Sequence, residues 1–262
     1  MKSDRRLLTK ARLLVIKLGT GVLSNERGGL NFQQIGHLAD QIRALQRQGR
    51  HVVLVSSGAI SAGMTRLRLK TRPTQIADLQ ACAAIGQNLL MAGYERAFTR
   101  RKITVAQILL THEDFRQEKR RHNAAQTLRN LIHRNVVPII NENDAVSFDE
   151  IKFGDNDQLA SMVHSLVHAD ACVILSNVDG FLTRDANGKR RVLPTIPKIT
   201  AAIRHQAGGS GSQRSVGGMQ SKILAASNVL ATKRPLVIAN GHTPNILVRL
   251  LKGDSLGTIF LP

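Results

Sequence analysis

The sequence predicts an α/β protein, a three-layer αβα sandwich with a mainly parallel central sheet. Two features point there. Short strands that are apolar at consecutive positions alternate with segments of helical period, the pattern of a parallel sheet covered by helices on both faces. Several strands also run straight into polar stretches rich in Gly or Ser, which is where an open α/β sheet binds ligands, at the carboxyl ends of its strands.

Taken in order, Arg12 to Lys17 (RLLVIK) reads as a buried strand that stops at Gly19. Phe32, Ile35, Leu38, Ala39, Ile42 and Leu45 share one helical face, and Gly49 ends that helix. Val52 to Val55 is a second strand. A long helix follows from Ile76 to Arg101, then a strand at Ile103 to Leu110, a helix over Arg120 to Arg134 and a strand at Val136 to Ile140. The second half repeats the alternation. Helices are expected at Gln158 to His168, Ile199 to His205 and Met219 to Thr232, with strands at Cys172 to Leu175 and Leu236 to Ala239. Leu182 to Val192 carries Asn187-Gly188 at its middle, a turn suited to positive φ, and reads as a β-hairpin. There is no short-period repeat and no long linker, so one continuous domain is expected over 1–262.

Composition narrows the function classes. Aromatic residues make up 3% of the 262-residue chain, so the core rests on Leu, Ile, Val and Ala. Cys82 and Cys172 are the only cysteines and form no CxxC pair, which argues against a disulfide framework and for a reduced, cytoplasmic setting. The basic start, Met1 to Lys10, has no apolar run of signal-peptide length behind it, and no segment has the length of a membrane span. A soluble protein is expected. The formal charge of +19 would fit an anionic partner. Its basic residues are dispersed in short clusters without interleaved aromatics, so a solvated basic surface is the expectation rather than nucleic-acid binding.

Four stretches carry candidate chemistry. Lys17-Leu18-Gly19-Thr20-Gly21 places a lysine at a strand end beside glycines that let backbone N–H groups approach a phosphate. No GxxxxGK[ST] loop occurs, and taken alone Lys17 reads as a strand-end surface lysine. Ser56-Ser57-Gly58 follows the second strand, where Ser57 could donate to a carboxylate or simply cap a helix. Asn141-Glu142-Asn143-Asp144 and Gly154-Asp155-Asn156-Asp157-Gln158 bring more carboxylates and amides to two loops than capping needs. They suit an amino acid, whose ammonium wants a carboxylate and whose carboxylate wants amide donors. Finally, Ser176-Asn177-Val178-Asp179-Gly180 follows a strand, and Gly217-Gly218-Met219-Gln220-Ser221-Lys222 opens a helix whose N-terminus favours phosphate. His164 and His168 lie four apart on a helix but have no third ligand, and read as an ordinary helix-face pair.

Together these stretches resemble the amino acid kinase family over essentially the whole chain. The resemblance is carried by VIKLGTGVL (Val15 to Leu23), VSSGAISAG (Val55 to Gly63), AAIGQNLLM (Ala83 to Met91), PIINENDAV (Pro138 to Val146), FGDNDQLA (Phe153 to Ala160), VDGFLT (Val178 to Thr183) and GGMQSK (Gly217 to Lys222). The NENDAV and GDND pair is similar to the branch that phosphorylates glutamate and separates the chain from acetylglutamate, aspartate and uridylate kinases.

The resemblance implies ATP-dependent phosphorylation of the γ-carboxylate of L-glutamate to L-glutamyl 5-phosphate, the first step of proline biosynthesis. It implies an acceptor-binding half over about 1–168 and a nucleotide-binding half over about 169–262, without the RNA-modification-type domain that many relatives carry after it. Lys17, Asp157 and Lys222 would be catalytic. Ser57, Asn141, Asp144 and Asn156 would hold glutamate. Lys17, Ser176, Asn177, Val216, Gly217, Gly218, Met219, Gln220, Ser221 and Lys222 would line ATP, with Mg²⁺ carried by the nucleotide and no resident metal ligand. A homo-oligomer, dimer or tetramer, is expected, and the basic segment Thr65 to Gln75 becomes a candidate lid and a place for proline feedback. Asn177 stands where the family usually has Asp, Val216 where it has Thr and Ser215 where it has Gly, which removes a charge, a hydroxyl and some backbone freedom from the nucleotide edge. Two alternatives stay open: a kinase of another carboxylate or phosphate acceptor, and a ligand-binding regulatory pseudokinase.

Overall fold

The computed structural model describes residues 4–25, 28–146, 156–184, 188–208 and 218–262. Its strands are β1 (Leu13–Leu18), β2 (His51–Ser56), β3 (Val105–Leu110), β4 (Val137–Glu142), β5 (Ala171–Ser176), β6 (Leu182–Arg184), β7 (Arg190–Val192), β8 (Thr195–Ile196), β9 (Leu236–Asn240) and β10 (Thr258–Phe260). Eight of them form one sheet in the order β3-β4-β2-β1-β5-β9-β10-β8. Pairing is parallel from β3 through to β9. β10 runs antiparallel to β9, and β8 runs parallel to β10. β6 and β7 form the expected hairpin with Leu182 opposite Val192. Asn187 lies outside the described residues, and Gly188 has the positive φ the turn was expected to need (78° at Gly28 elsewhere, 76° here).

The helices are α1 (Arg6–Lys10), α2 (Thr20–Leu23), α3 (Phe32–Gln46), α4 (Ala59–Arg66), α5 (Ile76–Thr99), α6 (His112–Arg116), α7 (Glu118–His133), α8 (Asn156–Val167), α9 (Ala201–Ala207), α10 (Met219–Ala231) and α11 (Ile246–Lys252). Among the described residues none is long and apolar enough to cross a membrane.

Strand alternation sorts the core into two layers. Leu14, Ile16 and Leu18 of β1 pack on one face with Ile35, Leu38 and Ile42 of α3, Tyr94 and Phe98 of α5 and Leu247 and Leu250 of α11. Val15 of β1, Val53 and Val55 of β2 and Ile174 of β5 pack on the other with Leu159 and Val163 of α8 and Ile223, Ala226 and Val229 of α10. Position 17 shares the face of Val15, so the pleat aims Lys17 at the layer of α8 and α10. Cys82 and Cys172 are both buried and free.

Differences from the sequence reading have local causes. β1 begins one residue later than expected because Arg12 N and Leu13 N both donate to Asp170 Oδ2, which ties the strand's start to the turn before β5. α8 ends at Val167, since His168 adopts φ 53°. Thr65 and Arg66 close α4 rather than opening a loop. Ser57 is not a helix cap: Gly58 holds that position at φ 102° with no side-chain cap bond. α11 and the short strands β8 and β10 had no sequence signal of their own. α11 has two turns and starts at Asn245, also left-handed, without a side-chain cap.

α4 and α5 cross with their backbones almost in contact. A Cβ added at Gly86 would overlap the carbonyl oxygen of Ala59, and one at Gly63 would overlap the carbonyl of Cys82. Neither obstacle is a side chain that can swing away. Gly86→Ala should therefore cost about 2 kcal/mol or more, as overpacking does, measured by urea denaturation. A loss below about 0.5 kcal/mol, the level of an ordinary surface change, would contradict the close crossing.

Candidate active site

β1 is the point where the chain changes direction across the sheet: β2 and β4 lie on one side of it and β5 and β9 on the other. Crevices at such switch points are where α/β sheets take ligands. Two backbone bonds draw the strand ends together there. Gly19 N donates to Leu175 O at 3.0 Å and Ser57 N to Leu18 O at 3.1 Å. The loop after β1 thus lies between those after β2 and β5.

At the centre stands Asp157, in the first turn of α8 and fully buried. Its Oδ1 lies 2.8 Å from Lys17 Nζ and its Oδ2 2.9 Å from Lys222 Nζ, and both lysines are buried. Burial works to raise the pKa of this carboxyl. The attraction of Lys17 and Lys222 outweighs it, so Asp157 stays below the ordinary carboxylate range. The start of α8 favours the same charge state through the helix dipole. Two ammonium groups thus converge on one carboxylate in a buried site.

Beside this centre runs a chain of amides. Asn156 Nδ2 lies 2.7 Å from Ser56 O, 2.8 Å from Asn141 Oδ1 and 3.2 Å from Ser57 Oγ. Its two hydrogens serve the two shorter contacts, leaving the Ser57 hydroxyl able to donate its own hydrogen to a ligand. Asn141 Nδ2 donates to Gln87 Oε1 at 2.8 Å. Ser56 Oγ meets Tyr94 Oη at 2.9 Å, and burial pushes the Tyr94 hydroxyl above its usual pKa. Beyond Asn141 lies a cavity of about 270 Å³ between α5, β3 and the end of β4, lined by Ala59, Gln87, Gln107, Glu142 and Asp144 among others. Asp144 is buried, and its carboxyl is raised to about 6 by burial and then by Glu142, with Arg72 opposing.

The sequence-predicted residues thus divide in three. Lys17, Asp157 and Lys222 touch one another, and Ser57, Asn141 and Asn156 form one network with Asp144 on the adjoining cavity. Ser176 ends β5 and Asn177 follows it, and Asn177 lies against Gly21 so closely that a Cβ there would overlap its amide. Gly218 is the N-cap of α10 and makes no side-chain cap bond to the first N–H groups of that helix. Ser221 Oγ is buried without a hydrogen-bond partner among the described residues. Gln220 lies against Gly208, and Met219 packs towards the α8 and α10 core. Val216 and Gly217 lie outside the described residues, as do Gly154, Asp155 and Ser215. His164 and His168 do not form a ligand pair: His164 is buried in the core, its pKa lowered to about 4 by burial, while His168 is exposed beyond the helix end. A more voluminous cleft of about 1030 Å³ between α7 and α8 includes none of the residues of the centre. Gln87 and Glu142 were quoted in motifs without a role; their side chains complete the amide network and the cavity.

The fold is a three-layer αβα sandwich of a kind that phosphotransferases use. UMP kinase from Bacillus anthracis shares the fold, with a TM-score of 0.61 over 96% of both chains at 16% identity. The chain belongs to the amino acid kinase family, whose sequence pattern matches residues 12–240. It is 44% identical to glutamate 5-kinase of Nitrosospira multiformis over 97% of this chain and 69% of that protein. It is 40% identical to glutamate 5-kinase of Clostridium perfringens, over 98% of both.

Removing the central carboxylate takes away the shared partner of two buried ammonium groups. Asp157→Asn should destabilise the protein by about 3–5 kcal/mol, the usual loss when one partner of a buried ion pair is deleted. Asp157→Asn combined with Lys222→Met should be less destabilised than Asp157→Asn alone, because one uncompensated charge goes too. Urea denaturation of both variants checks this, and a single variant within about 1 kcal/mol of the parent would contradict a dry centre.

Proposed function

We propose that the chain transfers the γ-phosphoryl group of Mg²⁺-bound ATP to the γ-carboxylate of L-glutamate, forming L-glutamyl 5-phosphate and ADP, the opening reaction of proline biosynthesis. The observation that carries this reading is Asp157 holding Lys17 and Lys222 at 2.8 and 2.9 Å within a family of amino acid kinases.

An acceptor carboxylate is already ionised near neutral pH and is itself the nucleophile, so the reaction needs no general base. Its oxygen bonds to the γ-phosphorus, and the bond from that phosphorus to the oxygen bridging to the β-phosphate breaks. The electron pair leaves with ADP. The protein's task is to bring two anions together and to stabilise charge on the group in flight. Lys17 and Lys222 face that group from β1 and α10. Asp157 positions both ammonium groups without touching the phosphoryl itself. The Mg²⁺ arrives with the nucleotide and neutralises phosphate charge. On the nucleotide side, Ser176, Asn177 and the segment from Val216 to Lys222 line the ATP, with the uncapped start of α10 presenting N–H groups to its phosphates.

On the acceptor side, the Ser57 hydroxyl takes the reacting carboxylate and Asp144 takes the ammonium, while Asn156, whose side-chain N–H groups are committed to Ser56 O and Asn141 Oδ1, holds Ser57 and Asn141 in place. Asp144 argues for a free amino acid rather than an N-acylated one. A neutral amide would leave a buried carboxylate without a counter-charge.

The first experiment incubates the protein with ATP, Mg²⁺ and L-glutamate and traps the acyl phosphate as a hydroxamate, with L-aspartate and N-acetylglutamate alongside. Glutamate-dependent hydroxamate is expected, with Lys222→Ala lowering kcat by roughly 10²–10³-fold, the scale of losing one preorganised charge-stabilising group. A folded protein that yields no hydroxamate from any acceptor would overturn the reading in favour of a regulatory pseudokinase.

Asp144 must be ionised to meet the ammonium. Since its pKa in the free protein is about 6, kcat/KM for glutamate should fall about tenfold per unit below that pH. Asp144→Asn should lower kcat/KM and abolish that inflection. A profile flat down to pH 5 in the parent would remove Asp144 from ammonium recognition.

A further inference from the structure

We propose that Gln87 recognises the α-carboxylate of the acceptor through its side-chain N–H groups. The proposal rests on the reading of the site as an amino acid kinase centre and adds a specificity residue to it.

The argument starts at a backbone group whose polarity cannot flip. Glu142 N–H donates to Asn141 Oδ1 at 3.0 Å. That contact assigns the oxygen of the Asn141 amide, which also accepts from Asn156 Nδ2. The Asn141 nitrogen must then face Gln87 and donate, so Gln87 presents its oxygen to Asn141 at 2.8 Å. The Gln87 nitrogen is forced to the opposite side. There it is buried and has no acceptor among the described residues. An amide N–H left in that condition costs roughly 1–3 kcal/mol, and a ligand oxygen would relieve it.

Asp144 Oδ1 is likewise buried without a donor among the described residues. Donor and acceptor line the same cavity of about 270 Å³ and do not satisfy each other. An α-amino acid carries a carboxylate and an ammonium on one carbon, so it requires an N–H donor and a carboxylate around one small space. That volume lies just under the roughly 300–1,000 Å³ of pockets for drug-sized ligands. The network from Gln87 through Asn141 and Asn156 to Ser57 then leads to the reacting end. Gln87 is held in place because α5 crosses α4 at Gly86, the preceding residue, with no room to shift towards Ala59.

Gln87→Glu and Gln87→Leu separate the two ends of this side chain. Glu keeps an oxygen for Asn141 and replaces the donor with a negative oxygen; Leu removes both. Binding is measured by calorimetry for L-glutamate and for 4-aminobutyrate, which keeps the ammonium and the reacting carboxylate but lacks the α-carboxylate. KM for MgATP and thermal melting are followed in parallel. We expect the Kd for L-glutamate to rise tenfold or more in both variants and most in Gln87→Glu, with KM for MgATP within twofold. Gln87→Leu should bind 4-aminobutyrate within threefold of the parent. If Gln87→Glu binds glutamate within twofold of the parent, or if Gln87→Leu loses both ligands equally, the residue only braces Asn141 and the proposal fails. If neither variant folds, the parent alone decides: less than threefold discrimination between the two ligands overturns it, and tenfold or more supports it, with L-isoglutamine, whose α-carboxylate is an amide, expected to bind as weakly as 4-aminobutyrate. A parent that binds glutamate without phosphorylating it would overturn the reaction while leaving Gln87 to the same Kd comparison. One that binds neither ligand overturns both.

Discussion

The structure around the switch point depends on one carboxylate shared by two lysines. Lys17 comes from β1, Asp157 from the first turn of α8 and Lys222 from the first turns of α10. No two of these elements are neighbours in sequence, and the ion pairs of Asp157 join all three. Burying any one of these charges alone would cost several kcal/mol, so the three are retained together or not at all. Two ammonium groups converging on one buried carboxylate are an arrangement that a folded core does not select for stability alone.

The same reasoning extends to the neutral groups. Each amide from Asn156 through Asn141 to Gln87 has one end committed to a neighbour, and the direction of the whole series is set by the Glu142 backbone N–H. Among the described residues, Asn156 Oδ1, Gln87 Nε2 and Asp144 Oδ1 are buried without a hydrogen-bond partner. Buried polar groups are normally satisfied. Several unmatched ones gathered in one region, while the network around them is well bonded, mark the space where a polar ligand completes the pattern.

Much of this could be read in the sequence because parallel strands and amphipathic helices leave strong periodic signals. Phe32 to Gln46 and Ile76 to Thr99 show it, the second despite glycines at 86 and 93 that lower helix propensity. Asp157, Lys17 and Lys222 were legible as chemistry through the residue types at strand and helix ends, and the resemblance assigned their roles. What could not be read was contact. Nothing in AAIGQNLLM says that its Gln reaches Asn141, since that depends on the backbone crossing at Gly63 and Gly86. The edge elements were missed for a different reason. Thr195–Ile196, Thr258–Phe260 and Ile246–Lys252 are too short to show a period and are held by distant groups. Arg5, for example, donates to Leu256 O, Pro194 O and Gly257 O, and Thr258 Oγ1 bridges Phe181 N and Leu193 O.

Asn177 shows how the departures from the family pattern fit this frame. An Asp in its place would lie against Gly21 and add a negative charge just after β5. Asn keeps the size and the hydrogen-bonding capacity and removes the charge. The pairing of Lys17 and Lys222 with Asp157 does not involve this position. Under the proposed reaction, the substitution bears on how the nucleotide is held, while the stabilisation of the transferring group stays with Lys17 and Lys222.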